Sequence, residues 1–155
     1  MSSGKPQVIN VPRLLLVEDN PDDAQLTQRA LSRAHIGNEL TIAADAESAL
    51  ELLYRQAMNE TEDVGFILLD LGLPRMDGRE LLQRIWNDRR LRHIPVIVLT
   101  GSASDEDMLK SYKSGAVAFL RKPVDVDRLL RAVRELPDYR LLIARIGEST
   151  PGSEK

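Results

Sequence analysis

The chain has 155 residues, 43% hydrophobic and 29% charged, with a formal net charge of -3 and a pI near 5.5. That suits one globular domain with a full core and leaves no room for a second of ordinary size. The acidic balance argues against a nucleic-acid partner held by phosphate neutralisation, and the lack of cysteine excludes disulfides, thiolate metal sites and cysteine nucleophiles.

Along the chain, MSSGKPQVIN has no apolar run long enough for a signal peptide, and no later run reaches membrane-spanning length. A cytoplasmic, soluble protein with no membrane partner is expected. RLLLV (13–17) reads as a first buried strand and runs directly into Glu18 and Asp19. Asn20 can cap a helix with Pro21 at its first position, which places Asp22 and Asp23 in the first turn against the positive dipole end. Thr27, Ala30, Leu31 and Ala34 then repeat at helical spacing. ELTIAA (39–44) is a second strand and residues 46–58 a helix capped by Asp45. GFILLD (65–70) is a third strand, followed by a helix capped by Asp77 and carrying Gly78, Leu81, Leu82 and Ile85. IPVIVLT (94–100) is a fourth strand, with a helix over 104–114 capped by Ser104. AVAFLRK (116–122) is a fifth, and Asp125 caps a helix carrying Val126, Leu129, Leu130 and Val133. Strands without polar alternation belong to parallel sheets covered on both faces, so five βα units predict a doubly wound α/β fold.

Sites in such folds form outside the carboxyl ends of the strands. Glu18 and Asp19, Asp70, Thr100 and Lys122 all stand there. If the first and third strands are neighbours, about 4.8 Å apart, Asp19 and Asp70 meet at one point. Two such anions about 4 Å apart repel by roughly 4 kcal/mol at an effective dielectric near 20, which calls for a cation or a proton. Hard oxygen ligands without His or Cys favour Mg2+, with Mn2+ as its substitute.

VEDN (17–20), LLDLGLPRMDG (68–78), VLTGSAS (98–104) and FLRKP (119–123) resemble the receiver domain of two-component response regulators over residues 12–136. The resemblance implies a flavodoxin-like (βα)5 fold with a five-stranded sheet in the order 2-1-3-4-5; outside it, the sequence reads as a mobile segment over 1–11 and a C-terminal arm and polar tail over 137–155. It implies Asp70 as phosphoacceptor from a histidine kinase. Asp19 would be a direct Mg2+ ligand, Glu18 a ligand through water, and Gly72 a ligand by its backbone carbonyl. Lys122 would pair with a phosphoryl oxygen, with a cis Lys122–Pro123 step. Thr100 would be the switch hydroxyl, Gly101 would leave the phosphate approachable, and Phe119 would be the aromatic that moves behind the threonine. Such a protein is a signalling receiver rather than an enzyme, catalysing only its own phosphotransfer and dephosphorylation. The alternative is a phosphorylation-independent interaction module of the same fold.

Residue 136 exhausts the resemblance, so output is expected through an unknown downstream protein or phosphotransfer partner. In DYRLLIARIG (138–147), Tyr139, Leu141, Leu142, Ile143 and Ile146 make an apolar extension that either packs back as a short helix or forms an arm to a second subunit. VEDNPDDAQLTQRAL, SASDEDMLKSY and KPVD are similar to single-domain response regulators of phytochrome-type histidine kinases, which implies such a kinase as partner and a homodimer.

Overall fold

The five apolar runs form one parallel sheet. The computed structural model describes residues 12–59, 64–101, 115–137 and 143. In chain order the elements are β1 (Arg13–Val17), α1 (Pro21–Arg33), β2 (Leu40–Ala43), α2 (Ala46–Met58), β3 (Val64–Asp70), α3 (Gly78–Asn87), β4 (Val96–Thr100), β5 (Ala118–Arg121) and α4 (Val126–Arg134). The strand order is β2-β1-β3-β4-β5, the doubly wound arrangement expected. The segment 1–11, the helix expected over 104–114 with its Ser104 cap, and most of 137–155 lie outside the described residues.

Alternation along the strands divides the core into two layers. Leu15, Val17, Ile67, Leu69, Val96 and Val98 face α2 and α3, where Leu53, Leu81 and Ile85 meet them. Leu14, Leu16, Phe66, Leu68, Ile97 and Leu99 face the other way, onto Ala30 and Leu31 of α1 and Leu129 and Val133 of α4. Leu14, Leu15 and Leu16 are all fully buried, and each contributes roughly 1.5–3 kcal/mol of transfer free energy. That double burial explains why β1 carries no polar alternation.

Four of the predicted caps are formed. Asn20 Oδ1 accepts from the N–H groups of Asp22 (2.8 Å) and Asp23 (3.1 Å). Asp45, Asp77 and Asp125 accept from the N–H groups of Ser48, Glu80 and Arg128. Three strands are shorter than their apolar runs. β4 begins at Val96 because Ile94 closes a turn, its N–H donating to Leu91 O at 2.9 Å, and Pro95 has no N–H to give the ladder.

One residue of the apolar stretch 138–147 is described. Ile143 is 7% exposed and packs into its own chain's core with Leu136, Ala34 and Ile36. Tyr139, Leu141, Leu142 and Ile146 lie outside the described residues.

Candidate functional site

The carboxyl ends of β1, β3, β4 and β5 converge on one edge of the sheet. Glu18 follows β1 directly and continues its ladder, its N–H donating to Ala43 O at 2.9 Å. Asp70 is the last residue of β3 and only 5% exposed. Thr100 ends β4 and is 1% exposed, and its carbonyl accepts the Lys122 N–H at 2.8 Å. Lys122 is thereby registered by a backbone bond before its side chain makes any contact, and the Lys122–Pro123 bond is cis as expected.

One oxygen each of Glu18, Asp19 and Asp70 lies within 4.8 Å of the others. Glu18 and Asp70 are buried while Asp19 is exposed, so the group opens to solvent at Asp19. Glu18 Oε1 is buried with no conventional hydrogen bond. It is met instead by the Lys122 ammonium at 2.9 Å. All three donors are hard carboxylate oxygens and the edge is open, so the group fits a hard divalent cation that keeps part of its water shell. Gly72 anchors the acceptor side: its N–H donates to Asp70 Oδ1 at 3.2 Å. An open depression of about 460 Å3 lies over Glu18, Asp19, Asp70, Gly72, Gly101 and Lys122.

Burial pushes the Glu18 carboxyl up to about 7; the neighbouring Asp70 adds to this and Lys122 opposes it. For Lys122, burial works against the charged form. The close Glu18 carboxylate, the hydrogen bond to Asp23 and the charge of Asp70 outweigh it and raise the lysine above its ordinary range.

The sequence reading missed Asp23. Its N–H is capped at the start of α1 as expected, but its carboxylate is not confined to a helix-dipole role. Asp23 Oδ2 lies 3.0 Å from Lys122 Nζ, across 99 residues of sequence. Its place three residues past the Asn20 cap, on the turn nearest the strand ends, was the available signal. Asp22, in the same turn, is exposed.

Two loops hold the edge in place. An added Cβ at Gly78 would lie 2.5 Å from Asp70 O and 2.6 Å from Leu71 Cα, so only glycine lets α3 start against the end of β3. Arg75, in the β3–α3 loop, adopts a left-handed φ of 59° and reaches Asp45 Oδ2 at 3.1 Å and Glu47 Oε1 at 3.5 Å, tying that loop to the start of α2. Gly101 is exposed, and a Cβ there would meet nothing within 4 Å. Phe119 pairs in register with Val98 and packs half-buried against the layer under α2 and α3.

Residues 14–134 match the response regulator receiver domain family. The chain is 38% identical over 128 residues to the probable methanogenesis regulatory protein FilR2 of Methanothrix harundinacea (strain 6Ac), covering 83% of each chain. It is 37% identical over 134 residues to the response regulator Rcp1 of Synechocystis sp. (strain ATCC 27184 / PCC 6803 / Kazusa), covering 85% of this chain and 91% of that one. The solved structure of the bacteriophytochrome response regulator AtBRR superposes with a TM-score of 0.77 at 37% identity, over 90% of this chain and 99% of that one.

Proposed function

The chain belongs to the response regulator receiver domain family, a family of signalling modules, and we propose that it accepts a phosphoryl group from a histidine kinase on Asp70. The observation that carries this reading is the convergence of Asp70, three further carboxylates and Lys122 at one sheet edge. An oxygen of Asp70 attacks the phosphorus of a phosphohistidine. The P–N bond breaks, its electron pair returns to the imidazole, which takes up a proton, and an acyl phosphate forms. Phosphoryl transfer is mostly positioning and charge neutralisation, and Lys122, 3.3 Å from Asp70 Oδ1, brings the protein's own positive charge to the acceptor. Thr100, at the end of the neighbouring strand, offers its hydroxyl to a phosphoryl oxygen, and Gly101 leaves the approach open.

Glu18, Asp19 and Asp70, with the Gly72 carbonyl, would hold Mg2+ or Mn2+. The ion would supply further neutralisation of the charge gathered on Asp70. Phe119 follows Thr100 in the switch, and residues 12–136 form the receiver unit. The kinase is of phytochrome type; AtBRR, a bacteriophytochrome response regulator by its own description, supports this. Output passes through protein contacts or onward phosphotransfer. The apolar residues of the extension, Leu141, Leu142, Ile143 and Ile146, with Tyr139, support a homodimer.

Incubation with acetyl phosphate and Mg2+ followed by intact mass measurement tests the central reading. One phosphate adduct on the wild type and none on Asp70→Asn is expected. No adduct, or an adduct that survives Asp70→Asn, would overturn it in favour of a phosphorylation-independent interaction module. Light scattering of a Leu141→Ser/Leu142→Ser chain should report a monomer if the extension makes the dimer.

A further inference from the structure

We propose that Asp23 is a positioning residue for Lys122, holding its ammonium at the mouth of the site while the other two carboxylates are engaged elsewhere. The inference rests on the role assigned to Lys122 above and adds a residue to it.

An ammonium has three N–H donors and no acceptor. In this chain three carboxylates surround Lys122 Nζ: Glu18 Oε1 at 2.9 Å, Asp23 Oδ2 at 3.0 Å and Asp70 Oδ1 at 3.3 Å. The three are not equivalent. Glu18 and Asp70 belong to the group whose oxygens could hold a cation, and Asp23 does not. A cation bound to that group, or a phosphoryl group on Asp70, competes with Lys122 for two of its three partners. Asp23 is the partner neither event removes. The lysine stem is long and flexible, so loss of Asp23 would release the ammonium toward solvent when it is needed at the phosphoryl oxygen. The side chain of Asp23 is 39% exposed, so its own charge is screened, while its direct contact with the ammonium fixes direction.

The first turn of α1 contains its own control. Asp22 and Asp23 sit at the same helix end and their N–H groups share the Asn20 cap, at 2.8 and 3.1 Å. Asp22 is exposed, and it is Asp23 that reaches Lys122. A role in the helix dipole predicts equal effects for the two residues. A role in aiming Lys122 predicts an effect for Asp23 alone.

The test compares Asp22→Ala, Asp23→Ala and Asp23→Asn in the full chain, each also combined with Lys122→Ala. The readouts are the rate of phosphate uptake from acetyl phosphate with Mg2+, and the exchange rate of the Lys122 ammonium protons by NMR. Asp23→Ala should slow uptake roughly fivefold, the scale of one partly exposed ion pair. It should also speed ammonium exchange, and both effects should be absent in Asp22→Ala. Asp23→Asn, which keeps an acceptor oxygen in place, should recover part of the rate. In the Lys122→Ala background the Asp23 substitutions should change the rate no further. Equal effects of Asp22→Ala and Asp23→Ala, or an Asp23 effect that persists without Lys122, would overturn the inference while the proposed function stands. A wild-type chain that takes up no phosphate would overturn both.

Discussion

Lys122 Nζ lies 2.9 Å from Glu18 Oε1, in an ion pair whose carboxylate side chain is wholly buried and whose lysine side chain is 19% exposed. The ammonium therefore stands where a divalent cation would otherwise neutralise Glu18. Lys122→Ala should destabilise the metal-free chain by about 2 kcal/mol, because a buried carboxylate loses its partner. It should also strengthen Mg2+ binding by removing a competitor. Thermal denaturation with and without Mg2+ checks both: the variant should start lower and gain more from the ion. A smaller gain than in the wild type would contradict the competition.

Stability without metal should fall as pH rises through the Glu18 titration. Burial pushes this carboxyl up to about 7 from its ordinary 4.5, so over that window the native state keeps a proton the unfolded chain has released. Unfolding is then favoured with rising pH, by on the order of 3 kcal/mol across the window at most. Lys122 adds no slope there, since its raised pKa contributes fully at all pH values below the ordinary lysine range. Asp45 and Asp88 act in the opposite sense and only in acid. The Ser48 N–H holds the first below its ordinary 3.8 and the Arg90 guanidinium holds the second, and their support is lost as pH falls through that range. Urea midpoints should decline between about pH 5 and 7, and Glu18→Gln should flatten the decline.

Three glycines near the acceptor should respond differently to alanine. At Gly78 the added methyl would sit 2.5 Å from Asp70 O, so the substitution should cost about 2–3 kcal/mol net, although helix propensity alone would favour it by about 1. It should also slow phosphate uptake, because the displaced backbone carries the acceptor. At Gly101 a Cβ meets open space, and at Gly72 it meets only Asp70 Oδ1 at 4.0 Å. Alanine at either should stay within about 0.5 kcal/mol of wild type. Chemical denaturation separates the three.

Gly115 has a φ of +88°, and a Cβ there would come 2.8 Å from the Trp86 ring. Gly115→Ala should cost about 1–2 kcal/mol through backbone strain and displacement of the indole. Trp86 is the sole tryptophan of the chain and 49% exposed, so its fluorescence reports the displacement directly. An unchanged emission maximum would mean the ring does not rest on this turn.

What could be read in the sequence and what could not divides along physical lines. Apolar runs and caps are local signals, and the residues that end each strand followed from them: Glu18, Asp70, Thr100 and Lys122 all stand where the parse put them. Asp23 was missed because a local explanation, the helix dipole, was sufficient and hid a contact across 99 residues. The Arg75 bridge to Asp45 and Glu47 was equally hidden, since nothing in LGLPRMDG indicates which helix start lies opposite. Ile143 was legible only as one of two alternatives, since an apolar residue beyond the last helix can pack back or reach a partner; its burial in the cluster with Leu136 is a contact that only the fold supplies.

The ammonium of Lys122 draws together the end of the first strand, the first helix and the third strand, while its backbone is hung on the fourth. No contiguous fragment shorter than most of the chain contains all of these parts. Chemical competence therefore requires all of these parts to be assembled at once. A kinase that transfers only to an assembled edge would sort finished chains from unfinished ones without any separate checkpoint.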